Sequence, residues 1–176
     1  MEEKTKSAVN ASMVYGALLA LALIVFSLLL YILDLSANRS VAWLQYAVIL
    51  AGIIVAQFHF RKNYSAGFLS FGKAFTLGFL TVLFSAIIFA VYNYIFLKYI
   101  DPGVLEEAFA KAEQEMEQRG GMSEVEMDKA LSLMEKFRSP LMAAVSGIFM
   151  NVIIGLILSL VGAVITRKEN PDVMPG

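Results

Sequence analysis

The sequence predicts an all-α integral membrane protein: a bundle of four transmembrane helices with an extramembrane helical hairpin between helices three and four. Three observations carry this. Four runs, Ser7–Leu33, Ser40–Phe60, Ala74–Leu97 and Ser139–Thr166, contain no Asp, Glu, Lys or Arg, and each reaches the ~20 apolar residues that a helix needs to cross a bilayer core. The interval Lys98–Arg138 instead concentrates charge, with ten acidic and six basic residues. Hydrophobic residues make up 59% of the 176-residue chain and mean hydropathy is +0.69, whereas soluble domains hold roughly 45–50% apolar residues.

The spans are expected at about residues 10–33, 40–60, 74–97 and 140–166 of a single domain, 1–176. Each must be a helix, because lipid offers a backbone no hydrogen-bond partner. Lys4 and Lys6 precede the first run as they would in a signal peptide. That run is longer than the ~7–15 residues of a signal core, and Asp34–Asn38 shows no small-x-small cleavage site, so an uncleaved span is expected. The short connection Asp34–Arg39 makes spans one and two an antiparallel hairpin, and Arg61–Lys73 is the second short connection.

Residues 101–138 read as two amphipathic helices. Asp101 suits an N-cap and Pro102 a first helical position. Leu105, Ala108, Phe109, Ala112 and Met116 then share one face. Gly120-Gly121 ends this helix, and Ser123 with Glu126 forms a capping box for the next. Met127, Ala130, Leu131, Met134 and Phe137 make the second stripe, and the two stripes are expected to pack on each other. Met116, Met122, Met127 and Met134 suit a small hairpin core, although Met also lines adaptable partner grooves. An amphipathic helix can equally face a partner.

Basic residues divide evenly. Lys4, Lys6, Arg61, Lys62, Lys73, Arg167 and Lys168 fall on the side of the termini; Arg39 and the six of the long loop fall on the other. The first group is packed into short segments at helix ends, where the positive-inside rule acts. Cytoplasmic termini and an extracytoplasmic loop 98–138 are therefore expected, with Arg61, Lys62, Lys73, Arg167 and Lys168 as interfacial anchors near anionic headgroups.

Several chemistries are disfavoured. A net charge of −1 implies no nucleic-acid partner. The absence of cysteine removes disulfides, thiolate catalysis and Cys-ligated metals. Gly67–Ala74 departs from the phosphate-loop motif at Ala74, where Ser or Thr must hold Mg²⁺. It reads better as an interfacial turn, with Tyr64, Phe68, Phe71 and Phe75 at headgroup level and Gly67 and Gly72 easing the path into span three. His59 is the only histidine, and a lone His is a poor metal site. The spans hold only uncharged polar residues, among them Gln57, Thr81, Ser85 and Asn151, whereas ion coupling commonly uses intramembrane ionisable groups. No catalytic, cofactor or metal residues are assigned, and no enzyme activity is expected.

The clearest packing signal lies in span four, where Ala143, Gly147, Asn151, Gly155, Ser159 and Ala163 recur every four residues. Small residues let backbones approach, and Asn151 can hydrogen-bond across a contact. Gly147, Asn151, Gly155 and Ser159 are the expected helix-packing or oligomer face, centred on Gly147–Gly155. Span one offers a complementary series, Ala8, Ser12, Gly16 and Ala20.

The stretch Tyr64–Gly78 resembles the signature of the domain-of-unknown-function 4199 family of small four-span membrane proteins, encoded mostly by Bacteroidota. The long charged loop before span four and the exit Gly162-Ala163, Arg167-Lys168, Asn170-Pro171 agree with it. The resemblance implies a bacterial inner-membrane location and supplies no catalytic residues. The reading is a multi-pass membrane protein acting as a non-enzymatic scaffold or accessory protein; its alternative is a subunit of a small oligomeric transporter or channel. Expected partners are the lipid bilayer and either another membrane protein or a second copy of the chain, with no cofactor.

Overall fold

Six α-helices make up the computed structural model: α1 (Glu2–Ile32), α2 (Arg39–Tyr64), α3 (Phe71–Ile95), α4 (Gly103–Arg119), α5 (Glu124–Lys136) and α6 (Pro140–Thr166). It describes residues 2–35, 39–120 and 123–170, with side chains for 8–35, 41, 43–118, 120, 123 and 125–170. Of the residues singled out above, Asn38, Gly121, Met122 and Pro171, and the side chains of Lys4, Lys6 and Arg39, lie outside the described residues. Among the described residues, four helices are long and apolar enough to cross a membrane: Ala8–Ile32, Trp43–Tyr64, Phe71–Ile100 and Pro140–Thr166.

The helices overrun the apolar runs at several ends, because hydrogen bonding, not hydrophobicity, decides where a helix stops. α1 starts at Glu2 rather than near residue 10. It ends in a Schellman turn, with Leu35 N–H on Leu30 O at 2.8 Å and Asp34 left-handed at φ 55°. α2 runs to Tyr64, four residues past Phe60. Ala66 (φ 50°) and Gly67 (φ 86°) then reverse the chain, and Gly67 N–H returns to Arg61 O at 2.9 Å. α3 begins at Phe71, three residues before Ala74. Only the fourth span, 140–166, has the expected bounds. Ser139 caps it through Oγ, which accepts from Met142 N–H at 3.2 Å, and Pro140 occupies its first position.

The chain divides into two compact units, Met1–Phe89 with Ile148–Gly176, and Ala90–Gly147. In the first, contacts run in opposite order along α1 and α2: Gly52 lies against Leu19, and His59 meets Tyr15. Along α1 and α3 they run in the same order, Ser12 with Leu77 and Gly16 with Phe84. Gly155 of α6 meets Val82 of α3. Ser159 of α6 lies beside Gly78 of α3, so α6 runs opposite to α3 and the four helices alternate up-down-up-down. α3 is central, with 44% of its apolar window buried against 22–28% for the other spans. The core is Leu19, Leu23, Ile49, Ile53 and Val82, with a second cluster around Phe60, Leu69, Ala74 and Leu77.

In the second unit the end of α3 passes into a π-helical turn, Phe96–Ile100, closed by Asp101 N–H on Phe96 O at 3.0 Å. α4 begins one residue later than expected, at Gly103. Pro102 rather than Asp101 is the N-cap and makes no side-chain cap; Asp101 Oδ1, one residue earlier, accepts from Gly103 N–H at 3.0 Å. α5 carries the complete capping box between Ser123 and Glu126. The apolar stripes meet only partially: Leu105, Phe109, Ala112, Met116, Met127, Ala130, Leu131 and Met134 are half-buried, and Ala108 and Phe137 are exposed.

The capping box gives a pH prediction. Hydrogen bonds from the Ser123 backbone N–H and hydroxyl hold the Glu126 carboxyl below its ordinary value of 4.5. A folded value below the unfolded one stabilises above the unfolded value and is lost as pH falls through the folded value. The first turn of α5 should therefore fray on acidification below about 4.5, read as faster amide exchange at residues 125–127. Glu126→Gln, which has no carboxyl to titrate, should remove that pH step; a step of equal size in the variant contradicts the assignment.

Candidate functional site

Several polar groups of the first unit gather at one end of the bundle, around Gln57. This α2 side chain is fully buried. Its Nε2 donates to Ala74 O of α3 at 2.9 Å, and its Oε1 accepts from Thr166 Oγ1 of α6 at 3.0 Å. Only the NH₂ can donate to a carbonyl, so Ala74 O fixes the amide orientation. The Thr166 hydroxyl also lies 2.9 Å from Gly162 O and shares its single proton between the two acceptors. Glycines make the room: a Cβ on Gly78 would sit 2.8 Å from Gln57 Nε2, and one on Gly162 2.9 Å from Gln57 Oε1. One amide thus ties three helices together where lipid would leave its polar atoms unsatisfied.

Two further ties lie beside it. Arg61 donates to Thr166 O at 2.8 Å, closing a carbonyl at the C-terminus of α6 where cations are favoured. Leu69 and Lys168 form an isolated antiparallel bridge, with N–H to O distances of 2.7 and 2.8 Å in the two directions. Leu69 is buried. The α2–α3 turn is therefore fastened to the residues that leave α6.

These ties bring all five expected anchors to one end. Arg61 and Lys62 are in the last turn of α2, Lys73 is in the first turn of α3, and Arg167 and Lys168 follow α6. They are not equivalent. The Arg61 guanidinium is engaged with Thr166 O and stacks 4.6 Å from the Phe58 ring centroid. Lys168 lies 5.6 Å from the Phe68 centroid. Lys62, Lys73 and Arg167 are exposed.

His59 faces outward beside this end. Its Nδ1 meets the Tyr15 hydroxyl and its Nε2 lies 2.7 Å from Asn63 Nδ2. Both ring nitrogens are occupied, so the imidazole links α1 to α2. Among the described residues, no group of three or more His, Cys, Asp or Glu residues is placed to hold a metal ion.

The small-residue face of α6 differs from its expected centre. A Cβ on Gly147 would meet nothing within 4 Å, whereas one on Gly155 would collide with Val82 Cγ1. Ser159 is fully buried, 3.2 Å from the Cβ position of Gly78. Asn151 is half-buried and lines a small interior space with Leu19, Ile49, Val82 and Ser85. The close-contact seam is Gly155, Ser159, Gly162 and Thr166. Steps of four, three and four average near the 3.6-residue turn and stay on one face, whereas steps of four drift ~40° each. Nor does the α1 series pair with α6: a Cβ on Gly16 would lie 2.7 Å from Phe84 Cβ and 2.9 Å from Thr81 O, both in α3. Gln57 and the Leu69–Lys168 bridge were not assigned from the sequence. The uncharged Gln inside an apolar span was the available signal for the first; a single long-range backbone pair leaves none.

A family model described as "Protein of unknown function (DUF4199)" matches residues 14–168. The chain belongs to the DUF4199 family. No curated protein and no solved structure matches it. The matched part of this DUF4199 chain contains Gln57, Thr166 and both partners of the Leu69–Lys168 bridge, as well as the whole charged hairpin.

Proposed function

We propose that this chain is a multi-pass protein of a bacterial inner membrane that acts without catalysis as a scaffold or accessory protein. Its termini are cytoplasmic, and residues 98–138 stand outside as the recognition element. The observation that carries the reading is how the interior polar groups are used. Gln57, Thr81, Thr166 and Ser12 are all spent on hydrogen bonds to backbone or to each other. The interior space beside Asn151 has no room for a water molecule. A bundle tied and filled in this way suits a frame that presents a surface.

The bilayer is the first partner, with Lys62, Lys73 and Arg167 at the anionic headgroups. The second is another membrane protein. Affinity purification of the intact chain in mild detergent should recover a specific partner, and deletion of Gly103–Met134 should lose it while membrane insertion persists. Recovery of no partner by the intact chain refutes the reading. Orientation has its own test, because the chain lacks cysteine. Glu115→Cys should react with an impermeant maleimide on intact cells and Ser65→Cys should not; the reverse pattern inverts the topology.

One observation favours the alternative, a subunit of an oligomeric transporter or channel. Ser85 Oγ is buried without a hydrogen-bond partner among the described residues, in the wall that also holds Asn151. A polar pair there is what a solute path would use. Solute flux in proteoliposomes that disappears on Asn151→Leu would support that alternative over the scaffold.

A further inference from the structure

The two hairpin helices leave a groove, part apolar and part acidic, that the chain does not fill. Phe109, Leu131 and Met134 line it together with Glu113, Asp128 and Glu135, around about 320 Å³ of open space. Arg138 also lines it, with its guanidinium 5.9 Å from the Phe109 ring centroid. None of the three carboxylates has a cation within 4.0 Å among the described residues. No described side chain between residues 98 and 138 is fully buried. Two short helices without a closed core recover little of the entropy lost in ordering them. Their apolar faces call for a covering surface.

Charge selects the occupant. The interval Lys98–Arg138 holds ten acidic and six basic residues. A second copy would bring the same excess to the contact, and anionic headgroups would be repelled in the same way. We infer that this groove receives a basic amphipathic segment of a partner protein. The apolar side of that segment rests on Phe109, Leu131 and Met134, and its Lys or Arg side chains pair with Glu113, Asp128 and Glu135. The inference rests on the accessory-protein reading and adds the chemistry of the partner.

The test uses the full chain in nanodiscs of zwitterionic lipid, with empty nanodiscs as the background. The probe is a helical peptide of ~18 residues, five turns, with Leu on one face and Lys on the other; its counterpart carries Glu for Lys. The Lys peptide should bind the protein above background, and raised salt should weaken it. Glu113→Gln with Asp128→Asn and Glu135→Gln should weaken it at least tenfold. Glu106→Gln with Glu107→Gln and Glu117→Gln removes equal charge away from the groove and should change it less than twofold. Leu131→Ser should weaken it without altering its salt dependence. Equal loss from both triple variants, or binding of the Glu peptide, overturns the inference. So does photo-crosslinking from position 131 to lipid or to a second copy. The outcomes separate from those of the parent reading. A partner that co-purifies but ignores the first triple variant sinks the groove alone; peptide binding with no co-purifying partner sinks the accessory role alone.

Discussion

Gln57→Leu should destabilise the folded bundle by about 1–3 kcal/mol, since interhelical hydrogen bonds in membranes contribute about 0.6 and at most about 1.7 kcal/mol each. Two are lost, one to Ala74 O and one to Thr166 Oγ1. The site is rigid around them. Gly78 and Gly162 bring α3 and α6 within 3 Å of the amide atoms at their Cβ positions, so a branched Leu meets walls shaped for a planar amide. Thr166→Val removes one of the same bonds. The two substitutions together should cost less than the sum of the singles, with a coupling of about 0.5–1.5 kcal/mol for residues in one network. Reversible unfolding in detergent or bicelles measures all three. Additivity within a few tenths of a kcal/mol would show that Gln57 and Thr166 are neighbours without being partners. Gln57→Glu should do more damage at neutral pH than Gln57→Leu, because a buried carboxylate cannot donate to Ala74 O.

This junction marks the boundary of what the sequence made legible. Helix existence and local punctuation could be read directly, because uncharged runs and caps are local signals. The box at Ser123–Glu126, the Asp101 carboxylate on Gly103 N–H and the bounds of α6 are such cases. Which faces meet could not be read, because a span is apolar all round and lipid tails resemble leucine. The small residues of α6 were visible, but their spacing admitted two seams. The four-residue series passes through Gly147, where an added Cβ would meet nothing within 4 Å; the seam that forms passes through Gly162, where it would meet Ile53 and Gln57. The anchors Arg61 and Lys168 looked alike as charges. Only their distant partners, Thr166 O and Leu69, make them ties between segments.

Gly155→Ala and Gly16→Ala should be comparably destabilising, by about 1–3 kcal/mol as overpacking commonly is, and should differ in whether they can be rescued. At Gly155 the obstruction is a side chain: Val82 Cγ1 collides with the added Cβ, and Val82 Cβ lies at 2.9 Å. Val82→Ala removes the nearer atom. Alone it should cost about 1 kcal/mol as a large-to-small core change; combined with Gly155→Ala it should restore part of the loss, because Val82 Cβ stays 2.9 Å from the added Cβ. At Gly16 the obstruction is Phe84 Cβ at 2.7 Å and the Thr81 carbonyl at 2.9 Å. Phe84→Ala keeps that Cβ and moves no backbone, so it should rescue nothing. Four unfolding measurements per pair decide the matter. Rescue at Gly16 would mean that α1 approaches α3 through a side chain; absence of rescue at Gly155 would mean that α6 abuts the α3 backbone. The contrast also bears on the assembly. Gly155 is filled by Val82 of the same chain, so a residue that blocks it disturbs the bundle itself. Gly147 has open space at its Cβ position, so Gly147→Ala should leave stability within about 0.5 kcal/mol of the parent chain, gaining helix propensity and losing no internal contact.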